Sequence, residues 1–174
     1  MTQQKLQERS QEQVQDTSNE IFKMGRIQRQ KVRINRKKLL ESALKVLEQF
    51  SGNKTVLEVE YFEEVGTGLG PTLEFYTSTS KEFRKKHLGL WRDTGTPEQD
   101  EYVHSAHGLF PCPQPLLVLA TDKGRKILYF FKMLGMFVAK ALLDFRNVDL
   151  PFSPAFFKWM LGQETSFTLR DLFV

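Results

Sequence analysis

The first clear periodicity in the chain runs from Leu39 to Phe50. Leu39, Leu40, Ala43, Leu44, Val46, Leu47 and Phe50 recur at three- and four-residue spacing, the apolar stripe of a helix. Asn35 can cap its start, and Ser51-Gly52-Asn53 ends it. The period then drops to two. In "TVLEVEYFEEV", Leu57, Val59 and Tyr61 alternate with Glu58 and Glu60, which predicts a strand with one face buried and the glutamate face in water. Pro71 suits the first turn of a following helix, with Leu73, Tyr76, Ser80 and Phe83 along its inner side. Residues 92–115 hold Gly95, Pro97, Gly108, Pro111, Pro113 and Pro115 and read as a loop. Ile127–Leu143 is apolar almost throughout, but it is short for a membrane span and contains Lys132 and Lys140. It predicts a helix buried on most sides, with Lys140 reaching water along its aliphatic stem. "DLPFSPAFFKWMLG" predicts a turn and a helix capped by Ser153, with Pro154 in its first position and Gly162 at its end. Thr168 can open one more helix. The first twenty or so residues are rich in Gln, Glu and Ser and predict a disordered or frayed tail. The apolar close "LRDLFV" predicts that the chain stops inside a structured domain.

Composition narrows the class. With 174 residues, 40% hydrophobic and 26% charged, the chain can bury one real core. One cysteine excludes an intrachain disulfide and a four-cysteine zinc site, and with no apolar leader at the start it favours the cytosol or nucleus. The net charge of +4 is unevenly spread. Lys23, Arg26, Arg29, Lys31, Arg33, Arg36, Lys37 and Lys38 fall between Ile21 and Leu40 with no acid among them. Such a run is either a solvated basic face or a surface for nucleic acid or protein. No aromatic residues interleave with the bases after Phe22, so base stacking has no platform there.

Three glycines in "EVGTGLGPTLEFY" raise the question of phosphate binding. A dinucleotide fingerprint needs G-x-G-x-x-G, but after Gly66 and Gly68 the third glycine falls one place early at Gly70, and Pro71 takes its position. A P-loop counted from Gly66 would need a lysine where Thr72 stands. Gly66, Gly68, Gly70 and Pro71 therefore read as the geometry of a tight strand-to-helix turn. His104, His107 and Cys112 offer three zinc-type ligands in a loop without a fourth, and read as surface side chains. "FPCPQP" places no base beside Cys112, so it is not assigned as a nucleophile. Glu58/Glu60 and Glu63-Glu64 read as solvated charges. No metal, cofactor or catalytic residue is expected within the chain.

Three ordered blocks carry a resemblance. "QKVRINRKKLLESALKVL", "VLEVEYFEEVGTGLGPTLEFYTSTSKEF" with "LGLWR", and "FFKMLGMFVAKALLDFRNVDLPFSPAFFKWMLGQE" resemble the opening of the HECT domain of ubiquitin ligases. The likeness is to the ubiquitin-fusion-degradation and thyroid-receptor-interacting branch. The resemblance implies an α+β, mainly helical fold: the first part of the larger, amino-terminal lobe of a bilobal domain, with a small β element. Residues 1–28 would be a polar tail, and 29–174 a partial domain with a variable loop at 92–115. It implies a parent enzyme that takes ubiquitin from a charged conjugating enzyme as a cysteine thioester and passes it to substrate lysines. This part would be scaffold. The transfer cysteine is expected beyond Val174 and is not Cys112, which lacks the family's Thr-Cys-Phe context. Leu69 stands where relatives carry an aromatic, and Glu74 where they carry arginine, so no ubiquitin-contact residue is carried over. The partners implied are the conjugating enzyme, ubiquitin and protein substrates, in cytoplasm or nucleus, with no membrane. The alternative is a non-catalytic module that binds protein or nucleic acid through the basic run 23–38.

Overall fold

The computed structural model describes residues 28–93 and 95–173, with side chains as far as residue 171. The expected tail, including Lys23 and Arg26 of the basic run, lies outside the described residues apart from Gln28.

From Arg29 the chain forms a strand-helix-strand unit: β1 (Arg29–Ile34), α1 (Leu39–Phe50) and β2 (Val56–Tyr61). The strands pair in parallel, Arg29 opposite Val56 through Ile34 opposite Tyr61. Parallel neighbours need a crossover, and α1 supplies it. The period-two pattern decides which face is inside. Val32, Ile34, Leu57, Val59 and Tyr61 are buried, against Ala43, Val46 and Leu47 of α1 and the helices that follow. The Asn35 side chain accepts from the Lys37 N–H at 3.0 Å, as a cap does, but it caps a short 3-10 turn, Arg36–Lys38, from which α1 then grows.

Helix α2 (Leu69–Phe83) buries Thr72, Phe75, Tyr76, Thr79, Ser80 and Phe83. The expected inner residue Leu73 is instead 44% exposed. The buried positions recur at three and four residues from Thr72, and Leu73 lies one residue, about 100°, around the helix from that stripe. A short helix, α3 (Leu116–Leu119), leads into the longest, α4 (Asp122–Leu143). Gly124 makes their junction possible. A Cβ there would run into the Val118 carbonyl oxygen and the backbone of Leu119.

Two expectations for α4 are corrected. It is buried along one broad stripe, Ile127, Phe130, Met133, Leu134, Phe137, Lys140 and Ala141, while Leu128, Leu142 and Leu143 are exposed. Elements among the described residues cover it from one side only. Lys140 does not reach water: its side chain is 0% exposed, held by partners inside.

Helices α5 (Pro154–Met160) and α6 (Arg170–Phe173) complete the order. The Ser153 hydroxyl accepts from Phe156 N–H at 3.2 Å, with Pro154 in the first turn of α5. Residues 92–115 form no helix, but isolated bridges tie the segment down, Trp91 to Pro111 and Leu109 to Phe152. Around that seam Trp91, Phe131, Phe152 and Phe156 meet at ring-centroid distances of 5.2 to 6.1 Å. The Trp91 indole N–H donates to the Phe83 carbonyl at 2.8 Å, so the aromatic cluster is pinned to the end of α2. Among the described residues the fold is α+β, mainly helical, with one small two-stranded sheet. No helix among the described residues is long and apolar enough to cross a membrane.

Candidate functional site

The glycine-rich segment joins β2 to α2. Gly68 sits just before the helix at φ 88° and ψ −139°, a conformation close to one that essentially only glycine occupies. Gly66 faces Pro71, whose Cγ lies 3.4 Å from where a Cβ on Gly66 would be, and Gly70 is already in the first turn of α2. The Thr72 hydroxyl donates to the Gly68 carbonyl at 2.8 Å and accepts from the Val59 N–H at 2.9 Å. One side chain therefore closes the turn and fastens it to the strand.

Arg36 grips the turn from outside. Its guanidinium binds Glu64 in a bidentate fork, Nε to Oε1 at 2.6 Å and Nη2 to Oε2 at 2.9 Å. It also binds Glu74, through Nη1 to Oε1 and through Nη2 to Oε2 at 3.1 Å. Glu64 precedes the glycines and Glu74 follows them, so one cation straddles the turn. The same guanidinium lies 4.0 Å over the Tyr61 ring. Burial pushes the Tyr61 hydroxyl up to about 12. A cavity of about 570 Å³ beside the turn is lined by Glu60, Glu63 and Glu64 against Arg33. Carboxylates in that number repel a phosphate, so the site does not suit a nucleotide.

The described part of the basic run is a solvated face whose β1 cations sit beside carboxylates. Arg29 lies 3.8 Å from Glu58, Lys31 3.1 Å from Glu60, Arg33 3.5 Å from Glu60, and Lys38 3.9 Å from Glu41. Glu58 and Glu60, expected in water, are only 14% and 19% exposed, covered by the cations of the neighbouring strand. The charges of Arg29, Lys31 and Arg33 answer carboxylates across the sheet, and Lys38 answers Glu41 along the chain. These four cations therefore do not present the unopposed field that favours a phosphate backbone.

Below the turn, sequence reasoning missed a buried polar cluster. Lys140 Nζ donates to Asp144 Oδ1 at 2.7 Å, to the Asn53 carbonyl at 3.3 Å, and to the Thr55 carbonyl. Asp144 Oδ2 accepts from Tyr76 Oη at 2.6 Å and from the Leu57 N–H at 3.0 Å. Burial, and then the bond to Asp144, hold the Tyr76 hydroxyl far above its ordinary value. The four-residue spacing of Lys140 and Asp144 was a visible signal. The partners at 53–57 were not.

Other candidate residues stay apart. Cys112 is half-buried in the loop, its sulfur 3.8 Å from the Pro113 carbonyl, with no base bonded to it. His104 Nδ1 sits 3.0 Å from Arg84 Nη2. Among the described residues no three His, Cys, Asp or Glu side chains converge as metal ligands. The turn, its clamp and the buried cluster order backbone.

A model of the family HECT-domain (ubiquitin-transferase) matches residues 77–173, more than half of the chain. The chain is 45% identical to the E3 ubiquitin-protein ligase UPL3 of Arabidopsis thaliana, over 85% of the chain and 9% of that protein. It is 41% identical to the E3 ubiquitin-protein ligase TRIP12 of Danio rerio, over 84% of the chain and 8% of that protein. It is 42% identical to ubiquitin fusion degradation protein 4 of Saccharomyces cerevisiae, over 83% and 10%. The chain thus spans about a tenth of the length of these curated relatives. With its mainly helical α+β architecture and this match, the chain belongs to the HECT-domain (ubiquitin-transferase) family.

Proposed function

We propose that this chain is part of a HECT-type E3 ubiquitin-protein ligase and supplies the first, scaffolding part of its amino-terminal lobe. The observation that carries the reading is the match over most of the chain to E3 ubiquitin-protein ligases of a plant and a fish and to a ubiquitin fusion degradation protein of a yeast. In the proposed reaction a thiolate outside residues 1–174 attacks the thioester carbonyl on the conjugating enzyme. The conjugating enzyme's cysteine leaves as thiolate, and ubiquitin then passes to a substrate amine, freeing the transfer cysteine again. Residues 29–174 would hold the lobe's geometry, with 92–115 as the variable loop. The partners proposed are a ubiquitin-charged conjugating enzyme and protein substrates. A thiol relay needs a reducing compartment, which favours cytoplasm or nucleus.

The test uses the complete protein with activating enzyme, a panel of conjugating enzymes and ubiquitin. A ubiquitin adduct that a reductant removes is expected, and Cys112→Ser should leave it unchanged. No adduct with any conjugating enzyme would overturn the ligase reading. Loss of the adduct in a folded Cys112→Ser protein would instead make Cys112 the acceptor.

A further inference from the structure

A groove of about 580 Å³ lies between the start of α1, the 3-10 turn Lys86–Leu88 and the first turns of α4. Its size falls within the range of about 300–1,000 Å³ common for ligand sites. The floor is apolar. Leu88, Ile127 and Phe130 are buried side chains whose edges line it, and Leu40 is half-buried beside them. The rim is basic, with Lys86, His87, Lys123 and Lys126 around that floor. One acid, Asp122, also lines it, and Asp122 is already bonded to Arg125.

The rim differs from the other basic surface of the molecule. Each β1 cation faces a glutamate on β2. Lys123 and Lys126 are exposed and have no carboxylate partner among the described residues. Lys86 is fixed in place, its Nζ donating to the Pro97 carbonyl at 2.6 Å with Asp93 at 3.6 Å. A concave apolar floor beside Lys123 and Lys126, two cations unpaired among the described residues, complements one kind of ligand, an extended acidic chain that can drop an apolar side chain inward. A nucleic acid is disfavoured, because the exposed ring at the groove is the imidazole of His87 alone and no exposed Phe, Tyr or Trp lines it as a stacking platform.

We propose that this groove docks a short acidic peptide segment of a partner protein, with one apolar side chain of that segment seated on Leu40, Leu88, Ile127 and Phe130. The apolar anchor gives the groove its grip, and Lys123 and Lys126 give it charge selectivity. This docking is separate from ubiquitin transfer and does not require the chain to be part of a ligase.

The probe is the fluorescein-labelled peptide Asp-Glu-Asp-Glu-Leu-Phe-Glu-Asp-Glu-Asp, titrated with the full chain and read by fluorescence anisotropy. A second probe replaces Leu-Phe with Gly-Ser. The first probe should bind, more weakly as salt rises. The double variant Lys123→Glu/Lys126→Glu should weaken it about tenfold or more, and the Gly-Ser probe should lose a similar factor. Both lysines are exposed, so circular dichroism of the variant should match the parent. Absent binding, equal binding by the charge-reversed chain, or equal binding of the Gly-Ser probe would each overturn the proposal. A change of oligomeric state in the double variant would assign the groove to a second copy of this chain and overturn it as well.

Discussion

Asp144 accepts from Lys140 with one oxygen and from Tyr76 and the Leu57 N–H with the other, at a side chain 1% exposed. Two buried charges cost several kcal/mol each to desolvate, and the full set of bonds offsets that cost. Removing one charge leaves the other stranded. Asp144→Ala should therefore lower unfolding stability by about 3–5 kcal/mol in urea titration. Replacing both, Lys140→Met with Asp144→Leu, should cost less than the single change, because no charge is left unpaired. A loss under about 1 kcal/mol for Asp144→Ala would show that the cluster is not a unit. Gly68 carries a different constraint. At φ 88° and ψ −139° a β-branched residue is strained, so Gly68→Val should cost about 1–3 kcal/mol and lower the melting temperature. An unchanged melting temperature would mean that the turn adapts at no cost.

At the level of elements, local rules worked where the partner was local. The stripe over Leu39–Phe50 matched a helix of those bounds, and Ser153-Pro154 opened the predicted α5. Alternation fixed the inner face of β2 correctly, but its outer face was misjudged. Glu58 and Glu60 looked solvated because their partners, Arg29, Lys31 and Arg33, lie some thirty residues earlier on a strand that only the parallel register brings alongside. The continuous apolar run of α4 likewise hid its orientation. Periodicity cannot tell the covered side from Leu128, Leu142 and Leu143 when both are apolar. The glycine turn was legible as backbone geometry, whereas the Arg36 clamp across it was not, since its two carboxylates lie 28 and 38 residues away. These ion pairs have a pH consequence. Hydrogen bonds from Lys31 hold Glu60, and those from Arg36 hold Glu64, below their ordinary value of 4.5. A carboxylate lowered on folding contributes stability that is full above its unfolded value and is lost as pH falls through the folded one. Urea midpoints should hold steady from pH 7 to about pH 5 and then decline below about 4.5, less steeply in high salt. A midpoint that rises on acidification in that range would contradict the pairing.

On the scale of the whole molecule, the apolar surface is unevenly covered. Phe157, Trp159, Met160 and Leu161 lie exposed on and just after α5, and Phe167 and Leu169 follow, with Trp159 57% and Leu161 68% exposed. Apolar surface of this kind marks a contact side. The isolated chain should elute from size exclusion as a dimer or larger, and Trp159→Glu with Leu161→Glu should shift it toward monomer. A sharp monomer peak from the unmodified chain would refute this. The bond between Asp144 and the outward amide of Leu57, 87 residues apart, bears on synthesis as well as stability. With Thr72 on Val59, it occupies the side of β2 that β1 does not use. At about 5–20 residues per second, translation takes roughly 4–17 s to travel from Leu57 to Asp144. Through that interval the Leu57 amide lacks its final partner, so the window for nascent-chain misassociation at this strand closes only when the end of α4 has left the ribosome.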